Sequence, residues 1–153
     1  MGDIKKKKNK FKKPRKSFDR TRIEEEDKIV LKYGLKNKKE IWKAESEVSK
    51  LRRRAKALIP KTDEERNEFF GKLNDLGLNV KTTADALALT KEDWLERRLQ
   101  TKVFKIGLSK TPLESRQLIV HKKISVDGKI VNIPSFLVNS KSEKKIKLIN
   151  NEN

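Results

Sequence analysis

The chain has no cysteine, and His121 is its single histidine. Without thiolates there is no disulfide and no sulfur-ligated zinc, and one imidazole cannot assemble a histidine metal cage. No cofactor and no metal are therefore expected. No pairing of nucleophile and base stands out, which weakens an enzymatic reading. Aromatic residues make up 6% and hydrophobic residues 34% of the 153 positions, enough for one or two small domains with modest cores. No segment approaches the roughly 18 consecutive apolar residues of a membrane-spanning helix. The start Met-Gly-Asp-Ile-Lys-Lys has Lys6 where a myristoylation signal requires Ser or Thr, and no apolar signal-peptide core follows it. A soluble intracellular protein with no membrane association is the expectation.

What the chain does have is positive charge. Forty Lys and Arg against 22 Asp and Glu leave a formal charge of +18, a self-repelling balance that makes sense beside a polyanion. Nucleic acid is the leading partner, and a membrane surface is the competing polyanion.

The charge is uneven. Residues 1–22 hold 11 basic and 2 acidic side chains, with Phe11 and Phe18 almost the only large apolar groups. Such a segment buries too little surface to offset its ordering entropy, so it reads as an arm that orders on RNA. A solvated tail, or an import signal in a nucleated cell, are the other readings of the same residues. Residues 61–90 carry 4 basic and 6 acidic side chains and lean the other way. That face should point away from the polyanion or towards a basic protein neighbour.

Helical signals fill the region 23–90. A short helix is expected from Ile23, with Glu24, Glu25 and Glu26 in its first turn and Gly34 as its end. Asn37 and Glu40 form a near capping box for the longest helix, whose apolar positions Ile41, Ala44, Val48, Leu51, Ala55 and Leu58 recur every three or four residues. Its run Arg52, Arg53, Arg54 and Lys56 covers more than half a turn, which favours phosphate contacts over a solvated face. Thr62 and Glu65 suit a second capping box, with Phe69, Phe70, Leu73 and Leu76 as core and Gly77 as the stop.

The pattern then restarts. Thr90 and Asp93 can cap one helix carrying Leu95, Leu99, Val103 and Ile106, ended by Gly107, with Trp94 packing at its start. Thr111, Pro112 and Glu114 give an N-cap hydroxyl, proline at the first helical position and a carboxylate two residues on, with Leu113, Leu118 and Val120 as the buried side. Asp127-Gly128 fits a two-residue hairpin turn that puts Ile124, Val126, Val131 and Ile133 on one face. A further strand near 144–149 would complete a small antiparallel sheet. The fold class is α+β: an arm at 1–22, a helical region at 23–90, a compact module of helices plus sheet at 91–149, and a tail at 150–153.

Within this module the start of the second helix points backbone N–H groups outward, a ready anion site, with Ser109, Lys110 and Thr111 beside it. Arg97, Arg98, Lys102 and Lys105 line the first helix, and Arg116 and Gln117 project from the second. Lys122 and Lys123 carry the basic surface into the hairpin. Two readings stand for Arg116: an RNA contact, or an ion pair with an acid such as Asp93 or Glu96. His121 can cap the carbonyls at its helix end or contact phosphate or ribose.

The span ERRLQTKVFKIGLSKTPLESRQLIVHKKISVDGKIVNIPSFLV, residues 96–138, resembles the S-four RNA-binding module of ribosomal proteins. That module has a helix beginning Arg-Leu, a Gly-hydrophobic-Ser turn, a Thr-x-x-x-Ala-Arg-Gln-Leu helix and a Val-Asn-Gly hairpin. Ser115 stands for the common Ala, and Asp127 for the common Asn. The upstream stretch KYGLKNKKEIWKAESEVSKLRRRAKAL is similar to the archaeal and eukaryotic branch of the ribosomal family. The resemblance implies that Arg97, Lys105, Lys110, Arg116, Gln117 and His121 face RNA. It also implies a structural constituent of the small ribosomal subunit, in the cytoplasm, which binds small-subunit ribosomal RNA, nucleates assembly of the subunit body and contributes to translational accuracy. Its partners would be that RNA, neighbouring small-subunit proteins and messenger RNA where it enters, with no homo-oligomer.

Three other classes remain. Similar modules are appended to pseudouridine synthases and a transfer-RNA synthetase, but the remaining residues are too few and too helical for a catalytic domain. A DNA-binding helix-turn-helix over 95–121 would require a dimer seam, and Ala44 and Ala55 make a thin one. A free RNA-binding translation or ribosome-recycling factor would carry the same module.

Overall fold

The computed structural model describes residues 10–149, so residues 1–9 of the arm and the tail at 150–153 lie outside the described residues. Apolar periodicity dictates the first half. Helix α1 (Arg20–Tyr33) turns Ile29 and Tyr33 inward and ends at Gly34, whose φ of 60° gives the left-handed turn. It starts at Arg20 rather than Ile23, so the glutamates fall beyond the first turn. Asp19 stands at the N-cap position without a side-chain cap bond.

Helix α2 (Lys39–Ala57), the longest, buries Ile41, Ala44, Val48 and Ala55. Asn37 does not cap it. Lys38 holds that position, and the Glu40 carboxylate turns back to the Lys36 N–H at 3.2 Å. Helix α3 (Asp63–Asp75) begins after Thr62, whose hydroxyl makes no cap bond, and buries Phe69 and Leu73, with Phe70 packed beside them.

Two elements were not foreseen. Helix α4 (Thr83–Ala88) is set by a full capping box of Thr82 and Asp85 and brings Ala86 against α2 and α3. Helix α8 (Ser140–Glu143) precedes the last strand.

The single helix expected over 91–106 is two. Helix α5 (Lys91–Glu96) has the predicted Thr90–Asp93 capping box, and helix α6 (Leu99–Lys105) follows a break at Arg97 and Arg98. The break has a tertiary cause. Arg98 is extended and bridges Leu137, while the Arg97 carbonyl accepts from the Val138 N–H at 3.0 Å, and the Leu99 N–H donates to Phe136 at 2.7 Å. The chain after the hairpin thus inserts its own hydrogen bonds where a continuous helix would have closed on itself. Ile106, predicted to be in the stripe, is exposed.

Helix α7 (Pro112–Val120) is capped by Thr111 as expected, but Ser115 and Ile119 are its buried residues; Leu113 and Val120 face solvent. Strands β1 (Ile124–Val126), β2 (Lys129–Ile130) and β3 (Ile146–Leu148) form an antiparallel sheet in the order β2-β1-β3. Asp127 and Gly128 both have positive φ, 53° and 77°, the backbone of a two-residue hairpin turn. Ile124 and Val126 point into the core and Val131 lies against it, whereas Ile133, past the strand end, is exposed.

Three apolar clusters result. Val48, Ala55, Phe69, Leu73, Val80, Ala86 and Leu89 join α2, α3 and α4. Ile29, Tyr33, Leu35, Ile41, Ala44 and Leu95 join α1, α2 and α5. Leu99, Val103, Ile119, Ile124, Val126, Val138 and Ile146 form the core of the module.

Candidate nucleic-acid interface

Most of the candidate contact residues nominated from the sequence fall into two sets. The first holds the fold together. Arg98 and Arg116 both donate to the Glu40 carboxylate on α2, Arg116 at 3.0 Å, and the Arg98 side chain is only 6% exposed. Arg116 also donates to Gln100 Oε1 at 3.2 Å, and Gln100 Nε2 donates to the carbonyls of Tyr33, Gly34 and Pro112. The ion-pair reading of Arg116 is therefore realised, with Glu40 rather than Asp93 or Glu96 as its acid.

Burial pushes the Glu40 carboxyl up, but hydrogen bonds and charge from Arg98 and Arg116 outweigh it and leave the group below its ordinary value. Glu143 on α8 repeats the arrangement. It accepts from Arg97 at 3.0 Å and Lys102 at 2.7 Å; burial raises its carboxyl, and these cations bring it down. Arg97 also donates to the Val138 carbonyl at 2.8 Å and its guanidinium lies against Gly77. Lys105 pairs with Glu96 at the surface, at 2.9 Å.

On α2, Arg52 donates to the Leu89 carbonyl, and Arg54 lies 5.2 Å from the centroid of Phe69 as a cation–π partner. Arg53 is exposed and lines a cleft of about 520 Å³ with Lys12, Lys13, Lys91 and Trp42.

The proposed anion site at the start of α7 is largely filled from within. The Thr111 hydroxyl accepts from the Glu114 N–H at 3.1 Å, the Lys110 N–H donates to the Glu114 carboxylate at 2.6 Å, and the Ser109 hydroxyl is buried against that of Ser115. An arriving phosphate would meet the Glu114 carboxylate there, so the Lys110 side chain is what this corner offers.

The second set is free. Lys110, Gln117, His121, Lys122 and Lys123 are exposed, and their side chains have no ion-pair or hydrogen-bond partner among the described residues. Helices α1, α3, α6 and α7 all close with paired bonds around a left-handed residue. The first three use Gly34, Gly77 and Gly107, whereas α7 uses Lys122 at φ 60°. There the Lys122 N–H donates to Ile119 and the Lys123 N–H to Leu118, both at 3.0 Å. A side chain in that conformation costs about 1–2 kcal/mol that glycine avoids.

Sequence reasoning missed Lys36, Lys39 and Lys43. They rim a cleft of about 300 Å³ floored by Glu40, Arg98 and Arg116 and walled by Trp94 and Pro134. None has an ion-pair partner among the described residues. Lys39 and Lys43, four residues apart in α2, share one side of that helix, a signal present in the sequence, and Lys36 joins them from the loop before it.

The sequence that builds this frame of short helices and a three-stranded sheet has relatives. The family model described as the S4 domain matches residues 97–143, the part that carries α6, α7 and most of the sheet. Beyond that module, the small ribosomal subunit protein uS4 of Saccharolobus solfataricus is 44% identical, with 95% of this chain and 84% of the relative covered. The corresponding protein of Methanothermobacter thermautotrophicus is 41% identical, covering 95% of this chain and 89% of the relative. The chain belongs to the uS4 family of small ribosomal subunit proteins.

Proposed function

We propose that this protein is a structural constituent of the small ribosomal subunit that binds small-subunit ribosomal RNA directly. The free cations on and around α7, with the lysine-rimmed cleft at α2, are the binding surface. The observation that carries this reading is Lys122, a charged side chain held in a left-handed turn where three other helices use glycine. Such strain clusters at functional sites, and this strained side chain is exposed with no partner among the described residues.

The paired set has a different task. Arg97, Arg98, Lys102 and Arg116 lock α2, α6, α7 and α8 into one template, so the free cations keep fixed spacings. RNA is recognised largely by shape, and a rigid array of phosphate contacts can select one folded junction. Arg116, with its side chain 23% exposed, serves both tasks by presenting an edge to the α2 cleft.

In this reading the protein is a ribosomal component of the cytoplasm, structural rather than catalytic, and not a homo-oligomer. Early RNA binding nucleates assembly of the subunit body, and a fixed RNA junction supports translational accuracy. Neighbouring small-subunit proteins and the incoming messenger RNA are further partners. The acidic side chains of α3, all exposed, suit a basic protein neighbour.

Sedimentation of a cell extract tests the assignment. The protein is expected to travel with small subunits and to stay with them in physiological salt. Sedimentation only as free material would instead favour an independent RNA-binding factor.

A further inference from the structure

Phe18 is 95% exposed, the highest exposure among the large apolar residues described. Its ring forgoes the burial that phenylalanine ordinarily gains, yet the backbone beneath it is pinned. Arg22 Nη2 donates to the carbonyls of Lys16 and Ser17 at 3.1 and 3.0 Å, across the turn that carries Phe18. Arg22 Nη1 donates to Glu26 Oε1 at 2.8 Å, and the same oxygen accepts from Trp42 Nε1 at 2.9 Å. Glu26 is buried, so the clamp is anchored in the α1–α2 packing. On the other side, Phe11 packs on Trp42 with ring centroids 5.9 Å apart, and α1 begins two residues after Phe18.

The surroundings specify the occupant. Residues 10–18 contain five cations and no acid, and Arg15 and Lys16 are exposed beside the turn. An exposed aromatic ring on pinned backbone, among cations with no ion-pair partner among the described residues, matches single-stranded RNA, whose bases offer flat faces and whose phosphates answer the charges. An apolar groove on a protein would answer the ring alone.

We infer that Phe18 is a stacking platform for one unpaired base of the ribosomal RNA, held ready by the Arg22 clamp, with Arg15 and Lys16 taking the adjoining phosphates. This rests on the RNA-binding reading above and adds a site within the arm.

The test uses the full chain and in-vitro transcribed small-subunit ribosomal RNA of Saccharolobus solfataricus. Phe18→Ala is expected to bind roughly 5- to 100-fold more weakly, as loss of one base–aromatic stack implies. Its urea midpoint should match the parent's because the ring touches no core. The salt dependence of binding should also be unchanged, since no phosphate contact is lost, whereas the double change Arg15→Ala, Lys16→Ala lowers it. Phe18→Trp should restore affinity, and Phe18→Leu should not. Unchanged binding by Phe18→Ala while the parent binds overturns the stacking site and leaves the RNA reading standing. Full rescue by Leu also overturns it, in favour of simple apolar contact. A Phe18→Ala chain that binds RNA normally but fails to enter subunits would assign the ring to a protein neighbour. If the parent itself does not bind, the RNA reading fails and this site with it.

Discussion

The Arg116 guanidinium on α7 donates to the Glu40 carboxylate on α2 at 3.0 Å, across 76 residues of sequence. Arg98 reaches the same carboxylate from the break between α5 and α6. One acid therefore fixes the helical region to the module at two points.

Removing that acid should be costly. The Glu40 side chain is 12% exposed, and Glu40→Gln leaves two largely buried guanidinium groups without a counter-charge. Loss of about 3 kcal/mol of stability is expected in urea denaturation. A loss below about 1 kcal/mol would show that the pair is not structural.

The same group sets an acid limit. Its carboxyl is held below its ordinary value of 4.5, so the folded state binds fewer protons than the unfolded state as pH falls. Its contribution is fully present above the unfolded value and is lost as pH drops through the folded one. Glu143 acts in the same direction. Stability should be level down to about pH 4.5 and then decline, and less steeply in Glu40→Gln; equal slopes in the two proteins would contradict the assignment.

Lys122 offers a trade. Lys122→Gly should raise stability by about 1 kcal/mol, because glycine adopts the left-handed turn freely, while weakening RNA binding. Lys122→Ala should weaken binding equally without the gain. If Lys122→Gly binds RNA as the parent does, the strain serves no contact.

Gly77 reports on the Arg97 anchor. A Cβ at this position would sit 2.5 Å from Arg97 Cζ, and its φ is 74°. Gly77→Ala should lose about 1–2 kcal/mol or more from the left-handed backbone and the displaced guanidinium together. Thermal unfolding with no shift would show that Arg97 moves aside freely.

Much of this was legible in the sequence. The α2 stripe, the Thr90 and Thr111 caps, the Asp127-Gly128 turn and the third strand all follow from local chemistry, and local chemistry acts over a few residues. The misses are tertiary. Nothing near Arg97 and Arg98 announces a helix break, because its cause is chain 40 residues later, at Phe136 to Val138. Likewise, the sequence offered Arg116 either an RNA contact or an ion pair, but could not show that Glu40 folds beneath it and Arg98. Leu113 and Val120 failed as core residues because Pro112 and Ser115, lying against Gly34 and Ser109, turn α7 by another face to the interior. The Lys122 strain was invisible, since a lysine in the sequence does not reveal its φ.

The central claim is that fixed, unpaired cations on a rigid frame bind folded ribosomal RNA. The most direct test is the affinity of the full chain for small-subunit ribosomal RNA as salt rises from roughly 50 to 200 mM. The account predicts tight binding at low salt and a log–log slope of several units, reduced by about one each in Lys122→Ala and Lys123→Ala. No binding in dilute buffer, or a slope near zero, would contradict it.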